Sequence, residues 1–103
     1  MTNTQFAELA LSFEGVIEHA HFDRRAFKVD KKRIFTTLQE SSQTANVKLS
    51  IEEQKIFCDY GPSIFPIPNK WGDQGWTTLD LAHLEKHLVL EILNSGYQLV
   101  FQK

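Results

Sequence analysis

Six cationic side chains, Arg24, Arg25, Lys28, Lys31, Lys32 and Arg33, fall between His19 and Arg33 against only Asp23 and Asp30, a local charge of +4. Cations grouped around a hairpin can neutralise successive phosphates of a nucleic-acid backbone, which positions a protein without reading sequence. The same residues also suit a solvated turn that keeps a sheet edge from pairing with other chains. A second group is Lys70-Trp71, with Trp76 shortly after it. Rings beside a cation can stack unpaired bases. They can equally line a pocket for a peptide or small ligand, or pack inward and brace their loop. The third candidate is Lys48, which shares a strand face with Asn46 opposite Val47 and Leu49. It reads either as a solvated sheet lysine or as a contact to a bound backbone.

Other chemistries find little support. His83 and His87 are spaced to share a helical face and His19 and His21 a strand face, but His83-Leu-Glu-Lys-His87 puts its glutamate away from the zinc-protease position. No cysteine pair supports a structural metal site. Cys58, among Ile56, Phe57 and Tyr60, reads as a small buried residue, and Asp73 and Asp80 as turn and cap residues. No catalytic residue, metal or cofactor is expected.

At 103 residues the chain fits one domain, residues 1–103, and a hydrophobic content of 42% with eight Phe can fill one core. The net charge of −2 leaves −6 on the chain outside the basic cluster. Strong non-specific nucleic-acid binding usually accompanies a basic domain, so any such contact has to be local. No apolar run approaches the roughly 20 residues of a membrane span, and no basic-then-apolar leader opens the sequence. The single Cys58 cannot form an internal disulfide. A soluble, cytoplasmic protein with no membrane role is expected.

The positioning elements follow from periodicity and punctuation. Thr2 and Gln5 stand at capping-box spacing before a helical stripe of Phe6, Leu9, Ala10 and Phe13, and Gly15 ends that helix. Ala26–Val29 and Arg33–Leu38 alternate as strands around the turn Asp30-Lys-Lys, and Ala45–Leu49 forms a third strand. Ser50 with Glu53 caps a helix to about Asp59, closed by Gly61-Pro62. Pro66–Gly75 is expected as a shaped loop, followed by a strand at Trp76–Leu79. Leu84, Leu88, Ile92, Tyr97 and Val100 mark a last helix, in which Gly96 implies a kink or a close contact. Strands joined by short turns predict an antiparallel sheet with helices on one face, an α+β fold of two layers.

The residues Phe13-Glu-Gly-Val16, His21-Phe22, Ala26-Phe-Lys-Val29, Lys32-Arg-Ile-Phe35, Val47-Lys-Leu49, Lys70-Trp-Gly and Gly75-Trp-Thr-Thr come in an order and spacing that resembles the MmcQ/YjbR family, from about Leu9 to Val100. The resemblance implies a secretion-chaperone-like topology and a "double-wing" DNA-binding motif, with no agreed reaction or cofactor. Phe22, Phe27, Phe35, Trp71 and Trp76 match the family's aromatic positions, and Lys48 a lysine of its third strand. The chain departs from the family at Asp23-Arg24-Arg25, where many relatives have Gly or Pro, and at the more basic Lys31-Lys32-Arg33. The expected function is a small binding module contacting DNA phosphates through Arg24, Arg25, Lys31, Lys32 and Arg33, with Lys48, Lys70 and Trp71 adding stacking or backbone contacts. The alternative is a protein- or peptide-binding adaptor; on either reading a monomer or weak homodimer is expected.

Overall fold

The computed structural model describes residues 1–102; Lys103, part of the predicted domain, lies outside the described residues. Thr2 caps α1 (Asn3–Leu11) through the predicted capping box, its side chain accepting from the Gln5 backbone while the Gln5 side chain accepts from Thr2. Four strands follow: β1 (Val16–His21), β2 (Arg24–Val29), β3 (Ile34–Gln39) and β4 (Thr44–Lys48). Ser50 then caps α2 (Ile51–Cys58) by accepting from Glu53 N–H. Next come β5 (Ile64–Pro66), the four-residue α3 (Lys70–Asp73), β6 (Trp76–Asp80), a 3-10 turn at Leu81–His83 and α4 (Lys86–Phe101).

The six strands form one antiparallel sheet in the order β1-β2-β3-β4-β6-β5. Helices α1 and α4 cover one face, so the fold is the predicted two-layer α+β arrangement. Phe27, Leu38, Val47 and Leu79 point into that layer and pack with Phe6, Ile92 and Leu93, all fully buried. Between β2 and β3 the register slips: Phe27 faces Thr36, but Lys28 faces Ile34. The extra residue, Phe35, is buried against Phe13 and Tyr97, so the bulge turns an additional aromatic ring into the core. Gly96 makes the close contact its position implied, since a Cβ there would lie 2.7 Å from Val47 Cγ1 and 3.0 Å from Lys48 O. α4 therefore runs unbroken across the sheet.

Three local expectations are corrected. β1 was anticipated only as the strand face shared by His19 and His21, without bounds, because as an edge strand it is exposed on both faces and lacks clean alternation. Within the predicted loop Pro66–Gly75, Asn69 nucleates α3: its Oδ1 accepts from Trp71 N–H at 2.8 Å. Leu84 stands after the 3-10 turn rather than on the last helix, which begins at Lys86. Among the described residues, no helix is long and apolar enough to cross a membrane.

Candidate nucleic-acid interface

In an antiparallel sheet, residues directly opposite one another project to the same face. The open face of this sheet therefore carries Ala26, Thr37, Asn46 and Thr78 in one row, flanked by Arg24 and Lys28 on β2 and by Lys48 and Trp76 further along. A groove of about 370 Å³ runs over this row, lined by Phe22, Asp23, Arg24, Asn46, Trp71 and Trp76 among others. That volume lies at the small end of the range for ligand sites.

The groove's two ends are aromatic. Phe22 stands in the two-residue turn between β1 and β2 with φ +60° and 94% exposure. A positive φ at the first turn position is the place usually given to glycine in a tight hairpin. A phenylalanine held there, almost wholly in water, costs stability twice, through its backbone and through its ring. At the other end Trp71 is 52% exposed on α3. α3 is held down firmly: buried Gln54 donates to Gly72 O at 3.0 Å and to Thr77 Oγ1 at 3.1 Å. Glycine is required at two points of this segment, because a Cβ on Gly72 or on Gly75 would stand 1.9 Å from a carbonyl oxygen, of Ile67 and Leu49 respectively. Trp76 is half-buried in the floor between the ends.

The polar groups are ordered. Thr78 Oγ1 donates to Asn46 Oδ1 at 2.8 Å, which leaves the Asn46 amino group with no partner among the described residues. Arg24 reaches over β3 to Thr37 Oγ1 and Gln39 Oε1, both at 3.5 Å, long contacts that leave its guanidinium available. Gln39 Nε2 in turn donates to Asp23 Oδ2 at 2.8 Å.

The structure divides the predicted basic cluster. Arg24 joins the groove, but Arg25, one residue on, points to the helix side. There it donates to Glu18 at 2.6 and 2.9 Å and to Glu40 at 3.3 Å, and lies over the Phe27 ring. The hydrogen bond from Arg25 holds the Glu18 carboxyl below the usual carboxylate range, and Glu18 raises Arg25 above its ordinary value. Lys31, Lys32 and Arg33 sit at the far end of β2, roughly 20 Å from Arg24 by strand rise. They line a separate pocket of about 270 Å³ with Leu99 and Val100. Lys32 donates to Phe101 O at 2.7 Å, capping the carbonyl end of α4. Lys48 braces the tryptophan segment by donating to Gln74 O. Lys70 is exposed on α3 beside Trp71. Thus Arg24 and Trp71 line the groove, Lys48 shares the sheet face beside Trp76 and Lys70 adjoins Trp71 in the chain, while Arg25 and Lys31–Arg33 lie elsewhere.

Elsewhere, His83 Nδ1–H donates to Asp80 Oδ2 at 2.8 Å from the 3-10 turn, and His87 stands on a different helix. Burial raises the Cys58 thiol, the direction opposite to that of an activated nucleophile. Phe22, Asp23 and Thr37 were not singled out as site residues. Phe22 carried one usable signal, its match to an aromatic position of the family.

The YjbR family model matches residues 11–99. The chain belongs to the MmcQ/YjbR family. The groove, both its aromatic ends and its floor lie within the matched span, so the family segment carries the whole candidate site. Among solved structures, the chain is similar to the crystal structure of the Deinococcus radiodurans protein DR2400, of the domain family DUF419, with a TM-score of 0.79 and 22% identity. The superposition covers 95% of this chain and 77% of that one, which establishes a shared fold. No curated protein matches the sequence.

Proposed function

We propose that this YjbR domain is a binding module that holds single-stranded nucleic acid across the open face of its sheet, without catalysing a reaction on it. The supporting observation is the pairing of exposed Phe22 and Trp71 at the two ends of one groove that also contains Arg24. Exposed rings on an open antiparallel sheet provide stacking for unpaired bases, at about 1–3 kcal/mol per base. The same face bears Arg24, Lys28 and Lys48 on its strands against Asp80, and Lys70 beside it, whereas the helices carry Glu8, Glu52, Glu53, Glu85 or Glu91. Arg24, Lys28, Lys48 and Lys70 thus stand around this face against the carboxylates of Asp23 and Asp80, a local excess of positive charge that favours phosphates. The separation of Arg25 and of Lys31–Arg33 from the groove argues against a continuous basic surface for duplex DNA.

An extended peptide added along β1 is the second reading. It is favoured by one observation: β1 is a six-residue edge strand with neither lysine nor proline to block pairing. Titrating tryptophan fluorescence with mixed-sequence single- and double-stranded oligonucleotides, at about 50 and 200 mM salt, separates the two. Saturable quenching by single strands that weakens with salt supports the groove. No quenching by either at the lower salt overturns the nucleic-acid reading and leaves the edge strand.

A further inference from the structure

The hydrogen-bonding groups of the groove are of two kinds, and they are placed apart. On its floor stand two donors. Thr78 holds Asn46 Oδ1, and the Asn46 amino group, with no partner among the described residues, is the donor Asn46 offers. The Arg24 guanidinium reaches over β3 to Thr37, the register neighbour of Asn46 on β4, so donors from β2 and β4 approach one another across β3. At the turn stands one acceptor, the Asp23 carboxylate, of which only Oδ2 is engaged, by Gln39. Aromatic rings flank these groups at Phe22 and Trp71.

We infer that the groove selects guanine among the bases of a bound single strand, an inference that rests on the single-strand reading above. Guanine offers two adjacent acceptors, O6 and N7, which an arginine fork reads in other proteins. It also offers two adjacent donors, N1–H and the N2 amino group, beside O6. With the ring stacked on Phe22 or Trp71, the acceptor edge meets Arg24 and Asn46 and the donor edge meets Asp23. Adenine turns an amino group toward two donors at the same place and leaves Asp23 without a donor pair. Cytosine satisfies the two floor donors with N3 and O2 but gives Asp23 a single amino group. Uracil separates its two acceptors with N3–H. The order of binding is therefore guanine first, cytosine next and adenine last.

The experiment is fluorescence anisotropy with labelled nine-residue oligouridylates that carry one central guanine, cytosine or adenine. The wild-type protein binds the guanine strand about tenfold more tightly than the adenine strand, the discrimination of one good bidentate contact. Asp23→Asn, at an exposed turn, and Asn46→Ala each reduce that ratio to near one while binding of the adenine strand persists, with circular dichroism verifying the fold. Equal affinity of the wild type for the guanine and adenine strands overturns the selectivity and leaves single-strand binding standing. A preference that survives both substitutions unchanged overturns the assignment of the reading groups. Absence of binding to all three strands at low salt overturns both the selectivity and the reading beneath it.

Discussion

On the open face of the sheet, Arg24 makes only 3.5 Å contacts, beside an aromatic residue that the fold exposes at 94%. On the helix face, its neighbour Arg25 is locked to two carboxylates at 2.6–3.3 Å and covers the Phe27 ring. One residue of strand alternation separates an uncommitted cation from a structural one. The open face holds groups whose local stability is given up: a ring in water, a positive φ, and donors with incomplete partners. On the helix face Arg25 is the satisfied counterpart of Arg24. Under the proposed function, this contrast separates the ligand-binding surface from one already used by the fold.

The largest effect should come from breaking the wall of the groove. Gly75→Ala, with φ +105° and a Cβ 1.9 Å from Leu49 O, should cost about 3 kcal/mol and lower Tm by roughly 15 °C in a thermal melt. The two arginines should then part company. Arg24→Ala should weaken single-strand binding about tenfold with Tm nearly unchanged. Arg25→Ala should leave binding intact and cost less than about 1 kcal/mol, because its ion pairs are partly exposed. Anisotropy and melting on the same samples test both halves.

Phe22→Gly sharpens the contrast further. Glycine accepts φ +60° without strain, so the variant should be more stable by about 1 kcal/mol and yet bind more weakly. A variant that melts higher and binds less would mark Phe22 as retained for the ligand. The smallest effect is at low pH. Since Arg25 depresses the folded-state pKa of Glu18, this pair contributes above the unfolded carboxyl value near 4.5 and is lost as pH falls through the folded value. Urea melts from pH 6 to pH 3 should show a shallower acid limb for Arg25→Ala than for the wild type.

The fold was largely legible because its signals are local. Both Thr2 and Ser50 cap as their spacing implied, and the alternation of Ala45–Leu49 placed Val47 inside and Asn46 outside. β1 was obscured because an exposed edge strand needs no apolar face. The site was less legible, since it depends on where strands start and how they register. Beginning β2 at Arg24 rather than Ala26 assigns Arg24 and Arg25 to opposite faces, and that start is fixed by the Phe22-Asp23 turn. The place of Lys31–Arg33 is set by a contact with the end of α4, distant in sequence. Exposure of Trp71 arises from α3, which Asn69 and Gln54 shape together.

The most direct test is an NMR titration of ¹⁵N-labelled protein with a single-stranded oligonucleotide, following backbone amides and both indole N–H signals. Chemical-shift changes gathered at Phe22, Arg24, Thr37, Asn46, Trp71 and Trp76, with Arg25 and Lys31–Arg33 unmoved, are the predicted result. Changes centred on Lys31–Arg33, or along β1 with the groove silent, would contradict the assignment of the open sheet face as the binding surface.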